Sequence, residues 1–213
     1  MIEHVSLHDI LDEPLAQSFI HKDEILSLIE KCGPTRFYRF YHNISYDYFQ
    51  LWKNALHHEK SRRGEIALCV TNEADHILLH TKPFYPDKTF RIPTGGIHSK
   101  ETVIDALVRE LHEETGFSPL SFQQLALLLY VFRHGDESIP FVSYIFSVTV
   151  SDGEPAPHDE SEEISGFLWI ESSKLETVIT SLQNLPEGKW HEWGLMRAAP
   201  HHIIHSLRAN PGK

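Results

Sequence analysis

Two cysteines, Cys32 and Cys69, are all that the 213 residues contain. So few exclude a disulfide framework, and the lack of any Cys-x-x-Cys spacing removes the usual zinc and dithiol motifs. The pair suits a reducing compartment and leaves one chance bridge open. Long apolar runs are also missing: no segment approaches the roughly 18 residues of a membrane span. The opening MIEHVSLHDI has no basic region followed by an apolar stretch. No signal peptide is therefore expected, no membrane partner either, and the expected location is cytoplasmic. Positive charge is scarce. Lys and Arg number 19 against 30 Asp and Glu, giving −11 with histidines neutral. Nucleic-acid binders are usually basic, so no nucleic-acid partner is expected. A polyanionic ligand must instead meet a local basic patch or a bound metal. The 16 histidines would reverse the sign of the net charge if all were protonated. Solubility should therefore depend on pH below about 6.5.

What the chain does have is concentrated between Gly95 and Phe117, GGIHSKETVIDALVRELHEETGF. The spacing predicts one helix, with Ser99 as N-cap and Gly116 at the left-handed position that ends many helices. Val103, Ala106 and Leu107 recur at i, i+3 and i+4, as a core-facing stripe should. Seven residues on, Glu110, Glu113 and Glu114 hold the same angular positions. A second stripe, Ile104, Val108 and Leu111, stays apolar and is expected to hold the helix on its core. Three carboxylates so placed repel one another. A site that tolerates them usually contains a cation, and oxygen ligands suit hard Mg²⁺. An ordinary solvated acidic face is the alternative. It does not explain why acids replace the apolar stripe, nor the glycine pair Gly95-Gly96.

These residues resemble the Nudix hydrolase box. Gly95, Glu101, Arg109-Glu110, Leu111, Glu113-Glu114, Gly116 and Phe117 all stand at the intervals that box requires. The resemblance implies a mixed β-sheet between helices, an α+β fold of the α/β/α sandwich kind. It implies Mg²⁺, with Mn²⁺ as an alternative, held by Glu110, Glu113 and Glu114 with help from a backbone carbonyl at Gly96. It also implies that Arg109 pairs with Glu101 as a buttress, placing Glu101, Arg109, Glu110, Glu113 and Glu114 in the catalytic set. The reaction implied is attack of water on a diphosphate phosphorus, with metal neutralising phosphate charge. The general base would be Glu113, Glu114 or an acid of Asp159–Glu163, with Glu163 placed near substrate. Substrates of that class are nucleoside diphosphates joined to another group: nucleotide sugars, ADP-ribose, dinucleoside polyphosphates, coenzyme A or nucleoside triphosphates. Tyr130 and Pro140 do not match the marker spacings of particular subfamilies. Two other activities occur on the same fold, a non-catalytic nucleotide sensor and an isoprenoid diphosphate isomerase. The first often loses the box acids, and the second typically needs a cysteine in its proton-transfer pair.

The chain is expected to divide into an N-terminal extension, 1–63, and, as the resemblance implies, a Nudix domain, 64–213. The extension is expected to be largely helical and aromatic-rich. A short helix is expected over Asp23–Lys31, an aromatic cluster from Phe37 to Trp52, and a second helix from about Asp47 to Lys60. The aromatics either stack on a base or, as the residues favour, pack the extension on the domain or on a second subunit, so a homodimer is one expectation. Ile66–Val70 and Ile77–His80 read as strands joined by a hairpin-like turn. Phe90–Ile92 reads as a short strand leading into a glycine loop. Phe122–Arg133, Phe141–Val150 and Phe167–Ile170 read as further strands. Helices are expected over Ser173–Leu185 and Trp190–Leu207, the latter broken or kinked at Pro200. Lys82, Lys88, Arg91 and Arg133 could meet phosphate, with Arg91 and Arg133 the preferred substrate contacts. His98 and His112 are given no role. His201 and His205 lack a third ligand and are expected to be satisfied or exposed rather than metal-bound.

Overall fold

The computed structural model describes residues 1–14, 16–17, 19–58 and 62–210. The chain runs β1 (Ile2–Val5), α1 (Leu7–Leu11), α2 (Lys22–Cys32), β2 (Arg36–Asn43), α3 (Tyr46–His58), β3 (Arg62–Thr71), β4 (His76–Thr81) and β5 (Thr94–His98). It continues with α4 (Val103–Thr115), β6 (Ser121–His134), β7 (Glu137–Thr149), β8 (Gly166–Glu171), α5 (Leu175–Gln183) and α6 (Lys189–Ala209). One mixed sheet has the order β1-β2-β6-β7-β3-β4-β8, with β5 pairing β3 outside that path. The pairs β2–β6 and β3–β7 are parallel and the rest antiparallel. The end of the second expected helix, at 59–60, lies outside the described residues.

The central strands read as unbroken apolar runs because both of their faces are covered. Ile66, Leu68 and Val70 of β3 point into a core with Ile25 and Leu28 of α2 and Val103, Ala106, Leu107 and Leu111 of α4. Ala67 and Cys69 point the opposite way, into a core with Phe49 of α3, Leu175 and Ile179 of α5, and Met196 and Ile203 of α6. That is the α/β/α sandwich. Both cysteines are free and buried.

Several elements differ from the sequence expectation. The aromatic run at Phe37–Tyr41 is a strand, β2, lying parallel to β6. Phe37 and Phe40 pack into opposite cores, as strand alternation requires. Gly95-Gly96 is not a loop but lies within β5, paired with Glu65 and Ile66 of β3. Phe90–Ile92 is not a strand; Arg91 makes an isolated bridge to His80. The N-cap of α4 is Thr102 rather than Ser99. Its hydroxyl accepts from the Asp105 amide at 3.1 Å and donates to the Asp105 carboxylate at 2.7 Å. A turn closed by Glu101 N–H to the His98 carbonyl separates β5 from the helix. Of the second apolar stripe, Leu111 is buried and Ile104 packs against the same core, while Val108 is 42% exposed.

Helix α6 runs through Pro200 without ending. Proline has no amide to offer the carbonyl four residues back, that of Met196. The Tyr130 hydroxyl donates to that carbonyl at 3.2 Å, replacing the missing partner from β6.

Candidate active site

The sheet forks at β3. One edge of that strand pairs with β5 along Arg62–Ala67 and meets β4 at Thr71. Between the two branches stands the His80–Arg91 bridge, with amide-to-carbonyl distances of 2.8 and 3.1 Å. The fork holds a cavity of about 230 Å³ lined by Arg62, Lys82, Arg91, Thr94, Gly95, Gly96, Glu110, Glu162 and Arg197. Because the fork interrupts the sheet, α4 on one face and α6 on the other both reach this space.

Acids come from α4. Glu110 is 5% exposed and Glu114 1% exposed, buried although the sequence reads as a helix turning from apolar to charged. Glu110 lies flat against β5. A Cβ at Gly95 would stand 1.9 Å from the Glu110 carboxyl carbon, so only glycine admits this approach. Burial raises the Glu110 carboxyl above its ordinary range and pushes Glu114 up to about 8. Oε2 of Glu114 is buried with no hydrogen-bond partner.

Arg109 ties the acids together. Its guanidinium donates to both Glu101 oxygens at 2.7 and 2.9 Å, to Glu110 at 2.7 Å and to Glu113 at 2.8 Å. It also donates to the Gly96 carbonyl at 2.8 Å. The Arg109 hydrogen bonds hold the Glu101 carboxyl below its usual range. Glu101 accepts from the His98 amide as well, fixing the turn before α4. With Arg109 between Glu110 and Glu113, no three His, Cys, Asp or Glu side chains among the described residues converge tightly enough to hold an ion as they stand. The donor set nevertheless fits a hard cation: two buried carboxylates, a third beside them, a backbone carbonyl, and an unpartnered oxygen on Glu114.

Bases come from elsewhere. Arg91 is buried and donates to the Tyr85 hydroxyl at 2.8 Å, the Ile92 carbonyl at 2.9 Å and the Thr94 hydroxyl at 2.9 Å. Arg197 of α6 donates to Glu65 at 2.9 Å and to Thr94 at 3.2 Å. Burial opposes the Arg197 charge, and Glu65 more than offsets this, holding its pKa above the ordinary value. His201, one turn further, accepts from the Ile92 amide at 3.1 Å through Nε2. Its Nδ1 stands 2.7 Å from the Arg197 carbonyl, which can only accept, so the ring is neutral with its proton on Nδ1. Burial lowers its pKa to about 3.

Of the residues named from sequence, the structure brings together Gly96, Glu101, Arg109, Glu110, Glu113, Glu114 and Arg91. Lys82 joins them, paired with Glu162 at 3.1 Å. Arg133 does not: its guanidinium lies over the Tyr41 ring, 3.8 Å from the centroid, away from the cavity lining. Glu163 is exposed at a left-handed turn (φ 53°), and its neighbour Glu162 is the acid that lines the cavity. His201 is the satisfied core histidine that was expected. Arg62, Glu65, Thr94 and Arg197 also stand here, with no signal in the sequence to mark them. Each is an ordinary residue in an ordinary pattern, and only the fork brings it to the acids.

A NUDIX domain model matches residues 60–193. An RNA pyrophosphohydrolase from Ruthia magnifica subsp. Calyptogena magnifica is 35% identical over 66 residues, 31% of this chain. The match spans 34% of that protein, about a third of its length. Diphosphoinositol polyphosphate phosphohydrolase 3-alpha from Mus musculus is 30% identical over 126 residues, 59% of this chain and 71% of that one. Among solved structures, a C. elegans Ap4A hydrolase complex superposes with a TM-score of 0.45 at 16% identity, over 68% of this chain and 97% of that chain. The chain therefore belongs to the Nudix family.

Proposed function

We propose that this protein hydrolyses a diphosphate linkage in a nucleoside diphosphate derivative, using Mg²⁺ or Mn²⁺ held by the acids of α4. The observation that carries the reading is Glu114, which is buried with one carboxyl oxygen unpartnered and feels the charges of Arg91, Lys82, Glu110 and Glu162, all of which line the cavity. Burying an unsatisfied acid costs stability, and a cation bound on that side would remove the cost.

Glu110, Glu113 and Glu114, with the Gly96 carbonyl, would hold the ion. When bound, such an ion neutralises phosphate charge and lowers the pKa of a coordinated water. The protein's own groups do the remainder. Arg91, Lys82, Arg62 and Arg197 line the same cavity as Glu110 and would bind the diphosphate oxygens. Arg109 and Glu101 touch no substrate in this scheme; they space the α4 carboxylates and fix the turn entering the helix. The proton of the attacking water goes to a carboxylate, for which Glu113 is the freest, at 30% side-chain exposure. Names of the relatives support hydrolysis of a pyrophosphate or diphosphate compound without agreeing on which one. The isomerase alternative finds no support here: Cys69 and Cys32 lie in the two cores, and neither lines the cavity.

The test is a hydrolysis panel with Mg²⁺ or Mn²⁺, comparing wild type with Glu113→Gln and Glu114→Gln. It would contain ADP-ribose, nucleotide sugars, diadenosine polyphosphates, coenzyme A and nucleoside triphosphates. Turnover of one class, lost in folded variants, is the expected result. Nucleotide binding without cleavage would replace the hydrolase with a sensor.

A further inference from the structure

Next to the charged cavity lies a second one of different character. It has a volume of about 400 Å³, within the range of small-molecule sites, and its walls are largely aromatic. Tyr85 stands at its centre, 4.9 Å from Trp193 and 6.1 Å from Trp190 between ring centroids. The two tryptophans are 5.4 Å apart and nearly perpendicular. Phe84 and Leu51 at the rim are each 54% exposed, so the cluster is not simply the closing of a core. Lys189 lies at the same rim, its ammonium 5.3 Å from the Trp190 ring.

The two cavities share a wall. The Tyr85 hydroxyl accepts from Nε of Arg91, which lines the charged cavity. On α6, Trp193 lines one cavity and Arg197, one helical turn on, lines the other. A molecule with a diphosphate in the first space would present its adjoining group to the second. Rings set at angles around an open space receive a flat aromatic group by stacking, and every nucleobase has such a face.

We propose that Phe84, Tyr85, Trp190 and Trp193 form the nucleobase subsite, and that the substrate is a nucleotide rather than a baseless polyphosphate such as a diphosphoinositol compound. This rests on the hydrolase reading for the position of the diphosphate. A diphosphoinositol compound is polar and anionic throughout and would leave these rings unused.

The experiment is calorimetric binding of α,β-methylene-ADP and of methylenediphosphonate, neither of which is hydrolysed. Wild type would be compared with Phe84→Ala, Trp190→Ala and Trp190→Phe. Wild type should bind the adenosine-bearing compound at least about tenfold more tightly, as one stacking contact would give. Phe84→Ala and Trp190→Ala should lose most of that margin, and Trp190→Phe should restore it. Phe84 is exposed enough that its replacement keeps the test valid if Trp190→Ala does not fold. Equal affinity for the two compounds, no binding of the adenosine compound, or an unchanged margin in Phe84→Ala would overturn the proposal. Because no turnover is involved, these outcomes leave the hydrolase reading standing. A retained margin in a protein that cleaves nothing would do the reverse.

Discussion

Helices α4 and α6 lie on opposite faces of one sheet and meet at the same cavity, yet they differ in almost every respect. Helix α4 is short, cleanly capped by Thr102 and Gly116, and carries acids where its apolar stripe should continue. Helix α6 is longer, crosses Pro200, and buries His201 among its core residues. The guanidinium on each helix shows the difference. Arg109 is 26% exposed and spread over three carboxylates, whereas Arg197 is 13% exposed beside a Glu65 that is not exposed at all. We take Arg109 to serve the chemistry directly around it, and Arg197 to tie β3 to β5 as well.

The contrast can be broken most forcefully at Arg197. Arg197→Met leaves the buried Glu65 short of its nearest partner, with Arg62 standing at 3.5 Å. Urea denaturation should show a loss of about 3–5 kcal/mol, largely recovered by adding Glu65→Met. Arg109→Ala, by comparison, removes the partner of a buried Glu110 whose raised carboxyl can take up a proton instead, and should cost about 1–2 kcal/mol in stability while removing activity. Equal stability losses would erase the distinction drawn between the helices.

Gly95→Ala sharpens the α4 side. The new methyl group would displace the Glu110 carboxylate, and a shift near 1 Å should lower kcat/KM by about 10²-fold. A variant of unchanged activity would show that the position of Glu110 is unimportant.

Acid should find the α6 side first. The unfolded His201 titrates near 6.5 and the folded one near 3, so between these values the unfolded state binds the extra proton. Stability is then fully present above pH 6.5 and falls as pH drops towards 3, by at most about 1.4 kcal/mol per pH unit. Burial likewise holds His80 well below its ordinary value, adding in the same direction. Urea midpoints at pH 7.5, 6.5 and 5.5 should decline more steeply in wild type than in His201→Gln.

The smallest effect belongs to Pro200. Tyr130→Phe should cost about 1 kcal/mol by leaving the Met196 carbonyl unpaired. In a Pro200→Ala background, where an amide is available, the same substitution should cost less. Thermal denaturation of the four proteins would give the coupling.

Much of α4 is written locally, which is why it was legible. The spacing of Glu101, Arg109, Glu110, Glu113 and Glu114 along one helix and its preceding turn determines their meeting, whatever surrounds them. Gly116 at φ 75° is likewise a local requirement. Burial of Glu110 and Glu114 was not legible, because carboxylates at the end of an amphipathic helix normally face water. It depends on the missing Cβ at Gly95 and on the fork in the sheet. The basic half of the site is entirely of this second kind. Arg197 meets Glu65 across 132 positions of sequence, and Thr94 joins them through a strand that the glycines disguised as a loop. That Glu162 rather than Glu163 lines the cavity is of the same kind, since Glu163 takes the left-handed position that closes the tight turn. The strand β2 was missed because its aromatic residues, alternating between two cores, resemble a surface cluster when no partner strand is in view.

Calorimetric titration of Mn²⁺ into wild type, Glu110→Gln, Glu113→Gln and Glu114→Gln, without substrate, bears most directly on the role given to α4. Saturable binding in wild type, weakened in all three folded variants, is the expected result. Equal Mn²⁺ affinity in the four proteins would contradict it.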